Sequence, residues 1–215
     1  MKNFFLITLF LFLPFKALAL IEVDITRGNL NPLPIAVSPL SIDENSKQEF
    51  EKSLKVKDIA SEISIVVENN LRQSGLFNPL NKDAFLQAPD IANLKPRFED
   101  WNLIKAQALI TGKVNFIDSK LRVEFRLWDV LAGKEMMALA FTTVPNNWRR
   151  VGHIITDKVY ERLTGEKGYF DTRIIYVAEE GPKTRRIKKL AIMDQDGENN
   201  KFLTLGNELV LTPRF

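Results

Sequence analysis

The chain has 215 residues, 45% of them hydrophobic and 27% charged, which is enough apolar material for a packed core and too well mixed for wholesale disorder. A formal charge of only +3 removes the general electrostatic case for a nucleic-acid binder. With no cysteine and one histidine, a disulfide framework, a cysteine nucleophile and the usual zinc sets are excluded.

Met1-Lys2 makes a positive start, Phe4 to Leu13 is an unbroken apolar run, and Ala17-Leu18-Ala19 is a cleavage signal of the A-x-A type. The run is about half of the ~20 residues that a spanning helix needs. Residues 1–19 are therefore read as a secretory signal cut after Ala19, and the absence of a lipobox cysteine makes the product soluble rather than lipid-anchored. Losing Lys2 and Lys16 with that segment takes the formal charge from +3 to +1.

Ile21, Val23 and Ile25 alternate with Glu22, Asp24 and Thr26, the pattern of a half-buried or edge strand. Gly28 and Asn29 to Pro32 make a turn-rich link, and Pro34 to Pro39 is a second short strand. Ser41 to Lys57 is charged and lacks strong periodicity, so a loop or a helix entry is expected. Asp58 is placed to cap a helix whose stripe is Ile59, Ile63, Val66, Val67 and Leu71, stopped by Ser74-Gly75. Asn81 to Pro96 reads as irregular, with turns at Pro89 and Pro96, and Phe98 to Lys105 as a short helix.

Ala108 to Val114 is a strand whose Gly112 signals a bulge or close packing. Leu121, Val123, Phe125 and Leu127 alternate with Arg122, Glu124 and Arg126, a strand with one face buried. Leu131 to Lys134 turns it back into a strand over Met136 to Val144. One sheet covered by helices, an α/β arrangement over 20–165, is the expected architecture.

The period then changes. Trp148, Val151, Ile155, Val159 and Leu163 mark one face of a helix that Asn146 or Asn147 can cap and Gly165 can close. Past Gly168, Arg173 to Ala178 is a β-branched and aromatic strand. Ile187 to Met193 and Lys201 to Leu205 are further strands, separated by an exposed turn at 180–186 and a tight turn at 194–199. Antiparallel strands of this length and spacing look like a propeller blade.

At this junction the sequence resembles the TolB family. Leu163-Thr164-Gly165, Gly168, Phe170, Thr172-Arg173-Ile174 and Tyr176-Val177 match its hinge, and Asp194, Asp196, Gly197 and Asn199 match its D-x-D-G-x-N blade turn. Leu71-Arg72-x-Ser74-Gly75-x-Phe77-x-Pro79 matches a further segment. The resemblance implies a non-enzymatic periplasmic scaffold of the Tol–Pal system, with an α/β N-terminal domain followed by the first blade of a β-propeller over 166–215. It implies service to envelope integrity and to outer-membrane constriction during division. The implied partners are a TolA-like inner-membrane protein, the lipoprotein Pal and outer-membrane porin-type proteins, with the chain itself a monomer. In the family the mature N-terminal segment docks on TolA. Ile21, Glu22, Val23, Asp24, Ile25, Thr26 and Gly28 are the corresponding residues, and a purely internal strand is the alternative. Since one blade buries its faces only against neighbours, the 215 residues are expected to be the front part of a longer chain with a loosely ordered tail.

Little chemistry competes with that reading. A calcium loop starting at Asp194 would need glycine sixth and glutamate twelfth, and Asn199 and Leu205 stand there. A structural Asp-Gly turn is the expectation, with no metal and no cofactor. His153 lies off the apolar stripe and four residues before Asp157, the spacing of a solvated helical pair. Lys183, Arg185, Arg186, Lys188 and Lys189 carry no interleaved aromatic residue, so a solvated blade loop is read there, or contact with an anionic envelope partner. No G-x-S-x-G elbow or phosphate loop is present, and neither a small-molecule substrate nor nucleic acid is expected. The rival is a solute- or glycan-binding propeller protein, or the regulatory half of a periplasmic hydrolase.

Overall fold

The computed structural model describes residues 21, 23, 31–54, 56, 58–206 and 213. Strand β1 (Leu33–Val37) turns Leu33, Ile35 and Val37 to one side and Ala36 to the other, all buried. It lies parallel to β3 (Phe77–Pro79) and to β4 (Ala108–Ile117). A two-residue strand, β2 (Ser41–Ile42), continues along β4. β4, β5 (Lys120–Asp129) and β6 (Lys134–Thr143) then run antiparallel, so the sheet is mixed, in the order β3-β1-β4-β5-β6. Gly112 marks close packing rather than a bulge. Its pairing with Phe125 is regular, and a Cβ there would overlap Glu124 O and come within 2.9 Å of Leu40 Cδ2.

The segment 41–57 holds more structure than its composition announces. α1 (Glu44–Leu54) is polar almost all round, with Phe50 its one buried apolar side chain. Asp43 starts it by accepting from Ser46 N at 2.9 Å and Ser46 Oγ at 2.7 Å. These two bonds hold the Asp43 carboxyl below the usual carboxylate range. α2 (Ile59–Gln73) is capped by Asp58, which accepts from Ser61 N at 3.0 Å, and its predicted stripe is buried throughout. The segment 81–96 is not irregular either. Asn81 caps a 3₁₀ turn at Lys82–Ala84, and Pro89 opens α3 (Pro89–Leu94), as proline does at a first helical position. α4 (Phe98–Leu103) follows, burying Trp101.

α5 (Trp148–Thr164) closes the unit and packs beside α2. No asparagine side chain caps it. A 3₁₀ turn at Pro145–Asn147 leads in, and Asn147 Nδ2 donates to Thr143 Oγ1 instead. Gly165 ends it in the left-handed region at φ 75°. Ile63, Val67, Leu71, Val151, Ile155, Val159 and Leu163 meet the inner residues of β1, β4 and β5 in one core. On the other face of the sheet a smaller cluster joins Ala36, Trp101, Ala106, Leu109 and Val130. Among the described residues no helix is long and apolar enough to cross a membrane.

The second sheet is antiparallel, β7 (Arg173–Glu180), β8 (Ile187–Asp194) and β9 (Lys201–Phe202), in that order. β9 is shorter than the predicted 201–205, although Leu203 N still donates to Leu190 O at 2.7 Å. β7 and β8 pair without interruption from Arg173↔Asp194 to Glu180↔Ile187.

Candidate functional site

α5 carries the two places of interest, one at each end. At its C-terminal end, Val23 N donates to Leu163 O at 2.7 Å, Val23 is buried, and Ile21 packs against the main core. Residues 21 and 23 thus turn inward, as alternation predicts. Glu22, Asp24, Ile25, Thr26 and Gly28 lie outside the described residues, as do Ala17 and Ala19. The carbonyl of Leu163 is one of the last in the helix and has no partner within it, so it is free to accept from an added strand.

The three hinge residues form a tight joint just beyond. Gly165 makes the left-handed turn out of α5. Gly168 then passes so close to the helix that a Cβ would overlap Asp157 Oδ1 and sit 2.5 Å from Asp157 Cα. Phe170 is fully buried and meets Tyr160 and Tyr169. Asp157 holds the chain there, accepting from Phe170 N at 2.7 Å and from Asp171 N at 3.1 Å. Arg150 binds Asp171 through Nε and Nη2, at 2.9 to 3.2 Å, and this pairing raises the Arg150 pKa.

The predicted solvated pair of His153 and Asp157 is not found. Asp157 serves the hinge, and His153 is buried on a second surface of α5, turned toward α2 and the blade turn. Helical spacing placed His153 off the apolar stripe, but a helix wedged between two partners buries two stripes.

In the blade turn Gly197 has φ 89° and Asn199 φ 54°, the left-handed positions of a tight reversal. Asp194 O accepts from Gly197 N, Asp196 Oδ1 from Glu198 N, and Asp194 Oδ2 from Asn199 Nδ2. The motif is therefore a self-bonded hairpin, as expected. It also reaches back to the helices, where Arg149 pairs with Asp196 and Gln195 Nε2 donates to Asn70 Oδ1 at 3.0 Å. Asp196 Oδ2 lies 3.6 Å from His153 Nε2. His153, Asp194 and Asp196 bring three possible ligand atoms within 4.8 Å of one another, a donor set invisible in the sequence spacing. A cavity of about 540 Å³ opens beside them, lined by Arg149, Arg150, Arg173, Asp171 and Lys201 among others. Of the basic cluster, Arg186 and Lys188 pair with Glu179 and Lys189 with Glu180, so these three brace β7 against β8.

Comparison with known proteins bears on this arrangement directly. The model of the TolB amino-terminal domain matches residues 21–136, and that of the TolB beta propeller domain matches residues 160–215. The chain belongs to the TolB family. It is 85% identical over 211 residues to the Tol-Pal system protein TolB of Pelagibacter ubique (strain HTCC1062), an alignment that takes in 98% of this chain and 47% of that protein. It thus spans about half the length of that relative. The crystal structure of TolB from Acinetobacter baumannii matches with a TM-score of 0.64 at 24% identity, over 85% of this chain and 41% of the other. That likeness concerns the fold: a mixed sheet with helices, followed by the first strands of a propeller.

Proposed function

We propose that the chain is the N-terminal part of a non-enzymatic periplasmic scaffold of the Tol–Pal system. It would link a TolA-like inner-membrane protein, through residues 21–28, to Pal at the outer membrane, in support of envelope integrity and of constriction during division. The observation that carries the reading is the seat of the N-terminal segment. Among the described residues, Val23 N donates to Leu163 O at the open end of α5, and Ile21 packs against the core. A segment seated at a helix end has that seat to give up, and an extended chain once free has edge groups to add to a partner's sheet.

The working scheme has two states, with the segment seated on its own unit or paired with the TolA-like partner, and Pal biases the choice. α5 suits such a coupling because its C-terminal end seats the segment while its other turns hold the blade. The Pal surface falls mainly on propeller blades beyond these residues.

The test is a calorimetric titration with the periplasmic C-terminal domain of the cognate TolA-like protein. The chain from Leu20 should bind it and the chain from Leu33 should not. Equal binding by both would move the site elsewhere, and no binding by either would remove the proposed role. In the whole protein, Pal must also change the affinity for the TolA-like partner. An unchanged value would end the coupling.

A further inference from the structure

The hydrogens around His153 can be assigned by counting. Thr156 Oγ1 donates its single hydrogen to Gly152 O at 2.8 Å, so toward Asn70 it can only accept. Asn70 accordingly presents its amide nitrogen, 3.2 Å from Thr156 Oγ1, and the same nitrogen lies 2.9 Å from His153 Nδ1. Nδ1 is then the accepting nitrogen of the ring, and the proton sits on Nε2. Nε2 is buried and has no hydrogen-bond partner among the described residues, facing Asp196 Oδ2 at 3.6 Å. The remaining amide atom, Asn70 Oδ1, accepts from Gln195 Nε2 in the blade turn. The chain of bonds runs from α5 through α2 to the second sheet, and it has one polarity.

We propose that Asn70, His153 and Gln195 form a proton-sensitive latch, closed on the blade turn while His153 is neutral and opened when Nδ1 takes up a proton. An imidazolium would set an N–H at Nδ1 against the N–H of Asn70. Turning the Asn70 amide over removes that conflict and creates two others. Its nitrogen would face Gln195 Nε2, and its oxygen would face Thr156 Oγ1, whose hydrogen is already committed. Restoring every bond takes three linked changes, at Asn70, Gln195 and Thr156, so protonation loosens the turn.

Charged groups act on the ring from three sides, Arg149 on α5 itself, Asp194 and Asp196 in the blade turn and Asp171 in the link, and Arg150, Arg173 and Lys201 line the same cavity. α2 contributes Asn70, which is uncharged. Burial pushes the His153 pKa down, Asp196, Asp194 and Asp171 pull it up, Arg149 pushes it down, and the balance lies below the ordinary 6.5. An opened joint returns the ring to water and to that ordinary value. The closed joint therefore binds fewer protons, is favoured above pH 6.5, and loses ground as pH falls below it. The same polarity weighs against a cation on His153, Asp194 and Asp196. A metal ligand needs a lone pair at Nε2, where this state holds a proton, and Arg149 already pairs with Asp196.

The chain has a single histidine, so its long-range proton–nitrogen NMR spectrum reads tautomer and titration without ambiguity. The neutral form should be protonated at Nε2 and titrate below 6.5. Amide protection at 194–199 should fall as the ring protonates, about tenfold for each pKa unit of depression, while β4 and β5 stay unchanged. Asn70→Asp places an accepting anion at Nδ1. It should raise the titration above 6.5 and reverse the trend, so that the turn is better protected in acid. If that variant does not fold, the unaltered protein still decides. An Nδ1-protonated neutral form, a titration at or above 6.5, or turn protection independent of ring protonation each overturns the latch and leaves His153 a packed residue. A tautomer or titration that responds to added zinc would overturn it in favour of the cation site.

Discussion

Two antiparallel strand pairs, β4–β5 and β7–β8, are equally regular in hydrogen bonding and differ in what covers them. In β5 every second side chain from Leu121 to Leu127 is buried under α2 and α5. In β7 and β8 only Ala191 is buried, while Ile174 and Ile187 are 40% and 46% exposed. A backbone ladder forms wherever two extended segments meet, but stability comes from the faces, and a propeller blade covers its faces with other blades. Among the described residues the second sheet is held instead at one end of its strands, by Phe170, Asp157, the Arg150–Asp171 pair and the turn at 194–199.

Four substitutions would sharpen or break this contrast. Phe125→Ala removes a ring that is 1% exposed in the helix-covered core and should cost about 3–5 kcal/mol, whereas Ile174→Ala should cost under about 1 kcal/mol. Chemical denaturation of both variants measures the difference, and comparable losses would mean that the second sheet has a core of its own. Gly168→Ala drives a methyl into Asp157 and should cost about 1–3 kcal/mol. Its damage should show as faster amide exchange across β7 and β8, with β4 and β5 protected as before. Exchange that rises equally in both sheets would show one cooperative unit instead of a sheet hung from a joint. Lys158→Ala breaks only the exposed pair with Glu161 and should change stability by less than about 0.5 kcal/mol. A larger loss would give the outer face of α5 a role that its exposure denies.

Most elements were legible because burial on one side imposes a period. The stripe from Ile59 to Leu71, the alternation from Leu121 to Leu127 and the closing Gly165 all stand where they were expected. The elements that escaped have little apolar surface to mark them. α1 has Phe50 as its one fully buried apolar side chain beside its Asp43–Ser46 start, and α3 hides behind a proline that reads as a turn. An Asp three residues ahead of a Ser was the available sign for α1.

The sequence by itself determined most of the elements, the change of period after Gly168 and, through its motifs, the family. These depend on local chemistry: side-chain periodicity, the positive φ that glycine permits, and prolines that stop strands. Only the tertiary structure decided what α5 does with the side chains off its stripe. Asp157 serves the backbone at 170–171 and His153 reads a turn more than forty residues away, because α5 is buried on two sides by elements distant in the chain. Period along one helix reports that a face is covered; which groups meet across it is settled by the packing of three separate segments at one point.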